Sequence, residues 1–148
     1  MEFWIKVGVI LKGTTLVHID QHKDTRQPDK YLEKIFWETM GFSQIVDYTN
    51  HMLNVGNFID PALRSGMFDQ LIMVDHEQAF EQKILVPFVA DIDLDIFSPD
   101  MEYVPKEKKF SFIRDVIQRS SLITIATSPH FIGQESAIDT LRELFNFS

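Results

Sequence analysis

Apolar positions along this chain switch between continuous runs and a helical period, and the switches mark its elements. TTLVHI (14–19) follows a Lys-Gly turn and reads as a short buried strand. QLIMVD (70–75) and KILVPFVADID (83–93) are aliphatic and β-branched runs without alternation, the pattern of strands covered on both faces. LITIAT (122–127) reads as a further buried strand. Between them the period lengthens. Phe3, Trp4, Val7, Ile10 and Leu11 recur at helical spacing, so the apolar start predicts a packed amphipathic helix. Pro28 and Asp29 open another through about Met40, with Tyr31, Leu32, Ile35 and Phe36 on its apolar face and Gly41 as its stop.

A helical pattern runs from about Ser43 to Leu53, and a short helix from near Pro61 to Gly66. EKKFSFIRDVIQRS (107–120) turns Phe110, Ile113 and Ile117 inward, and KEKK (106–109) reads as its solvated start. Gln134 to Phe145 closes the pattern with Ala137, Ile138, Leu141 and Leu144 on one stripe. Strands alternating with helices predict a three-layer α/β domain with a mainly parallel sheet. A length of 148 residues suits one domain, 1–148.

Two strand ends carry the chemistry. LVHIDQHKDTR (16–26) sets Asp20, His22 and Asp24 at every second residue where its strand runs out. FVADIDLDIFSP (88–99) repeats the spacing with Asp91, Asp93 and Asp95 between Ile92, Leu94 and Ile96. Carboxylates inside an apolar strand are costly unless paired or metal-bound, and no row of Lys or Arg lies nearby in sequence. Ligands of open parallel sheets sit beyond the carboxyl ends of the strands, where both clusters fall. Four carboxylates and an imidazole are mostly hard donors, favouring Mn²⁺ or Mg²⁺, with the histidine tilting toward Mn²⁺.

Composition narrows the picture. The net charge of −8, from 22 acidic and 14 basic residues, sets the chain against nucleic acid, while four convergent aspartates would balance two divalent cations. With no cysteine there is no disulfide, thiolate zinc site or cysteine nucleophile, which fits a reducing cytoplasm. No run approaches the ~18 apolar residues of a membrane span. The apolar chain ends, with Phe3, Trp4, Phe145 and Phe147, predict a homo-oligomer.

In order and spacing, Asp20-Gln21-His22-Lys23-Asp24 and Asp93-Leu94-Asp95 resemble the two metal motifs of the arginase/deacetylase superfamily. HIDQHKDTR, NVGNFIDPAL and TIATSPHFIGQESAI are similar to segments of its small branch that includes the peptide arginases of ribosomal peptide biosynthesis. The resemblance implies an arginase/deacetylase-like domain of reduced size and a manganese-dependent hydrolase. It would convert arginine side chains of a precursor peptide to ornithine with release of urea, using two Mn²⁺ per chain.

By the same resemblance Asp20 and Asp93 would bridge the ions, His22 and Asp95 would complete one position and Asp24 the other. Asp24 would also orient the attacking water and relay its proton. Asp91 falls outside the matched pair, as a residue supporting the ligands or a loop residue. The chain departs from arginases in three places: an upstream metal-binding histidine has no counterpart, Ser98-Pro99 replaces Asp-Pro, and Ala126 stands near the position of the guanidinium-gripping glutamate. A zinc-dependent deacetylase-like amidohydrolase using Asp20, His22 and Asp93, or a non-catalytic binding module on the same fold, are the alternatives.

The remaining polar candidates each have two readings. His51 is either the acid that protonates a leaving amine or an exposed or capping histidine. Asn54 and Asn57 around Gly56 could hold a peptide or a guanidinium through paired hydrogen bonds, or cap turns. His130, just past a strand end, is a ligand or substrate contact or a surface residue. His18, two before Asp20, takes a core or supporting role. His76 reads as surface, and Thr25-Arg26 either attracts a carboxylate or balances local acid.

Overall fold

The computed structural model describes residue 8 and residues 10–31 and 39–145. The chain divides into two compact units, Met1–Thr15 with His22–Leu71, and Leu16–Gln21 with Ile72–Ser148.

In the first unit, α1 (Phe42–Met52) and α2 (Ile59–Arg64) fall within two residues of their sequence patterns. Gln44 reaches back to accept the Gly41 N–H at 2.9 Å, satisfying one orphan donor at the start of α1. Ile45 and Tyr48 are its buried residues, and the Tyr48 hydroxyl donates to the Lys30 carbonyl. Asp60 and Arg64 pair one turn apart along α2, with Arg64 stacked over the Tyr31 ring. Gly13 holds φ 77° against Asp69, where any Cβ would collide with the carboxylate, so the turn needs glycine.

Two sequence expectations change here. Residues 28–31 are not helical, and 32–38 lie outside the described residues. Of the expected N-terminal helix, Phe3, Trp4 and Val7 lie outside them too; Ile10 and Leu11 are described and are not helical.

The second unit carries the sheet. Strands β1 (Thr15–Ile19), β2 (Leu71–Val74), β3 (Phe88–Asp93) and β4 (Ile123–Ala126) lie in the order β2-β1-β3-β4, all parallel. β3 and β4 pair Ala90 with Ile123, Asp91 with Thr124, Ile92 with Ile125 and Asp93 with Ala126. Period-two alternation therefore sorts the side chains into two sets. Val17, Ile19, Ala90, Ile92, Ile123 and Ile125 join one core with Phe110, Phe112, Ile113 and Val116 of α3 (Lys106–Arg119) and Ala137 and Leu144 of α4 (Gln134–Phe145). Asp91, Asp93, Thr124 and Ala126 belong to the opposite set. This is the α/β architecture that the alternation of strands and helices requires.

The unit also departs from its pattern. Residues 83–87 are not strand: Pro87 has no N–H for a ladder, and Leu85 is 86% exposed. Ile84 and Phe88 are buried at either end of that segment. β4 is an edge strand and only partly buried. Ile138 is exposed on α4, whereas Phe145 packs against the core. The lysine-rich start of α3 is not simply solvated. Lys108 pairs with Glu77 and Glu81 of a short 3-10 helix, and Lys109 is buried at 3% exposure. Among the described residues no helix is long and apolar enough to cross a membrane.

Candidate metal centre

β1 and β3 are the inner strands, and the unit gathers its acids at their carboxyl ends. Asp20 follows β1 directly, is buried, and donates its backbone N–H to the Val74 carbonyl. Asp93 ends β3, and its Oδ1 accepts the Asp95 N–H at 3.0 Å, capping the 3-10 helix Leu94–Phe97. The backbone thus leaves strand geometry at Asp93, so Asp95 reaches the cluster from a helical turn rather than by strand alternation. Asp95 is 0% exposed, and its carboxylate lies within 4.8 Å of that of Asp20.

Gln21, which the sequence offered only as a spacer, ties these ends together. Its N–H donates to Asp95 Oδ1 at 3.1 Å, its side-chain amide to Asp100 at 3.4 Å, and its Oε1 accepts the Ser98 hydroxyl at 2.8 Å. Lys109 grips the same segment from α3, donating to the carbonyls of Ile96 at 2.9 Å and Met101 at 2.7 Å. Burial lowers its pKa. The segment that presents Asp95 is therefore held by a side chain on each flank.

The cluster has two halves. In one, His18 lies between Asp91, at 3.0 Å from Nδ1, and Asp20, at 3.2 Å from Nε2. Thr124 donates to the other Asp91 oxygen. Burial alone would depress the imidazole, but hydrogen bonds to Asp20 and Asp91 outweigh it and raise His18 to about 9. His18 is then an imidazolium between two carboxylates. Asp91, in the strand rather than a loop, is its anchor.

The other half gathers Asp20, Asp93 and Asp95. Burial raises Asp95 to about 7, with repulsion from Asp20 and Asp93 adding to it against the Gln21 N–H bond. Burial likewise raises Asp93, opposed by hydrogen bonds from Ser128 and the Asp95 N–H. Crowded carboxylates that resist ionisation form an oxygen donor set suited to a hard divalent ion, which would take the place of the protons. The carboxylate oxygens of Asp20 and Asp95 lie within 4.8 Å of one another, close enough to share such an ion.

The other residues singled out in the sequence lie as follows. His22 and Asp24 belong to the first unit and are half-buried; Asp24 takes a left-handed φ of 48°, and its carbonyl accepts the Ile59 N–H. His51 is exposed on α1, with Nδ1 against Asp47. The Asn54 side chain accepts the Gly56 N–H and that of Asn57 the Asn54 N–H, which is turn capping. Arg26 packs its guanidinium over Gly56, leaving no room there for a Cβ. His130 is exposed just past β4, and His76 is exposed beside Asp75. Sequence reasoning missed Gln21 and Lys109. Lys109 did carry a signal, since it stands four before Ile113 and seven before Val116 on the buried stripe.

Fold and cluster together define a parallel α/β protein with a carboxylate-rich centre at the carboxyl ends of its inner strands. No protein-family model and no curated protein matches the chain.

Proposed function

We propose that the chain is a manganese-dependent hydrolase of the arginase type, acting on arginine side chains within a peptide. Water adds to the guanidinium carbon and the bond to the side-chain nitrogen breaks, giving ornithine and urea. The observation that carries this reading is the acid half of the cluster, three aspartates crowded at the carboxyl ends of β1 and β3, with Asp93 and Asp95 held above the ordinary carboxylate range by burial and mutual repulsion. Asp20, Asp93 and Asp95 would hold metal, and the resemblance adds His22 and Asp24, two and four residues past Asp20 in the chain. Bound there, divalent ions would supply Lewis acidity and a water nucleophile at neutral pH.

The chain's own residues set the stage for that chemistry. His18 holds Asp20 from behind, through an imidazole that Asp91 and Thr124 fix in turn. Gln21 fixes Asp95 through its backbone N–H, while Lys109 and Ser98 keep the following turn in place. Asp24 is assigned the orientation of water and the transfer of its proton.

Metal analysis of purified protein, followed by assay of arginine and arginine-containing peptides with urea as readout, tests the proposal. Close to two Mn²⁺ per chain and urea release from peptide are expected, and Asp93→Ala should lose most of the metal and all of the turnover. Zinc near one per chain, with release of acetate from acetylated substrates, would favour the deacetylase-like alternative. Metal without turnover of any of these would leave a binding module.

A further inference from the structure

Among the described residues, two other than glycine take a left-handed φ, Asp24 at 48° and Ser128 at 39°. That region is uncommon outside glycine, and a residue before proline is steered toward extended backbone. Ser128 precedes Pro129, so two local preferences are overruled at once. Such outliers persist where the surroundings over-determine them, and they gather at functional sites. The surroundings of Ser128 are specific. Its carbonyl accepts the Phe131 N–H at 3.0 Å and the Ile132 N–H at 3.1 Å, and Ile132 is buried in the core. On its other side, Ala126 pairs with Asp93 across the β3–β4 ladder. The turn between these fixed points brings the Ser128 hydroxyl onto Asp93 Oδ2, to which it donates. Asp93 Oδ1 accepts the Asp95 N–H. Both oxygens of this carboxylate are therefore held, one from the turn after β3 and the other from the end of β4.

From this geometry we infer that Ser128 is a positioning residue for the metal centre, its hydroxyl setting the orientation in which Asp93 meets a divalent ion. The inference rests on the proposed metal role of Asp93 and deepens it. A carboxylate oxygen has two lone pairs, so each oxygen of Asp93 can keep its hydrogen bond and still face an ion. A ligand pinned at both oxygens has one orientation, and binding need not freeze it. The same argument accounts for the residue type. Glycine would take this φ without strain but has no hydroxyl, so serine stands at a position that its backbone alone disfavours.

The test measures manganese binding to the full chain by titration calorimetry, and melting of the metal-free chain, in three variants. Ser128→Ala removes the hydroxyl and keeps the backbone strain, whereas Ser128→Gly removes both. Ser128→Asn tolerates the left-handed region and offers an N–H donor. Affinity should follow the donor: alanine and glycine each bind about ten-fold more weakly than serine, with asparagine in between. Stability should follow the backbone, the glycine variant melting above the alanine variant. A residue that served the turn alone could not give both orders.

Manganese held by Ser128→Gly as tightly as by the unaltered chain overturns the inference, as do affinities that rank with the melting temperatures. So does asparagine binding no better than glycine. The reading beneath fails differently. No manganese uptake by the unaltered chain ends the metal centre and the part of Ser128 in it together. Binding that depends on Ser128 without urea release keeps the positioning residue and ends the hydrolase.

Discussion

The two halves of the buried cluster share Asp20 and little else. On one side, His18 provides a positive charge between Asp20 and Asp91, and Thr124 fixes Asp91, so burial is answered by partners within the protein. On the other, Asp93 and Asp95 accept backbone N–H groups and a serine hydroxyl, and burial with repulsion from neighbouring carboxylates raises both above the ordinary carboxylate range. The first half is balanced by charge of opposite sign, while the second crowds carboxylates whose burial disfavours their ionised form. A cluster of acids at a strand end thus divides by charge balance, and the proposed metal falls to the unbalanced part.

Breaking the balanced half should cost most. His18→Ala leaves buried Asp20 and half-buried Asp91 without the imidazole between them, and in metal-free protein it should destabilise by about 3–5 kcal/mol in urea unfolding. A cost under about 1 kcal/mol would mean that the pairs carry no weight. The unbalanced half should answer with the opposite sign: Asp95→Asn, without metal near pH 8, should stabilise by a few kcal/mol, on the order expected for relieving a buried, repelled carboxylate. The pH profile sharpens the contrast. Asp95 titrates at about 7 in the folded chain, above the ordinary carboxylate value of about 3.9. Its contribution is therefore full below pH ~4 and lost as pH rises through 7. His18, raised to about 9, keeps its contribution below pH ~6.5 and loses it as pH rises through 9. Melting curves of metal-free protein should show both losses, with Asp95→Asn lacking the lower one; identical profiles would refute the division. The smallest effect is expected at Lys109, which touches neither half directly. Lys109→Met removes the ammonium donor from two carbonyls, of which Met101 keeps the Val104 N–H, and should cost about 1–3 kcal/mol, with a measurable loss of manganese affinity; unchanged affinity would detach it from the centre.

Much of this frame was legible in the sequence because its strands are unbroken apolar runs and its helices carry one apolar stripe. β1, β2, the later part of β3 and β4 stood out by the first sign, α3 and α4 by the second. The misreadings have physical causes. Residues 83–87 are as apolar as a strand, but Pro87 interrupts the ladder and Leu85 faces solvent. Four-residue edge strands share the composition of central ones, so LITIAT did not reveal its open side. The carboxylate spacing stood out, since Asp20, Asp93 and Asp95 lie at or just past strand ends. The parts played by Asp91 and Gln21 depend on contacts more than seventy residues distant in the chain, which periodicity cannot carry. Lys109 was hidden by its company, because three lysines within four residues look like a wet surface until the helical stripe is drawn through the last of them.

Lys109 has a consequence for how this protein can change. It donates to two main-chain oxygens of the turn after β3, those of Ile96 and Met101, and its ammonium stands over the Phe97 ring at 5.5 Å. Phe97 in turn packs on Phe110, and buried Ser98 bonds Gln21, so the length of this stretch and two of its side chains are fixed together. Insertion or deletion of one residue would move an anchor out of reach and swing Asp95 with it.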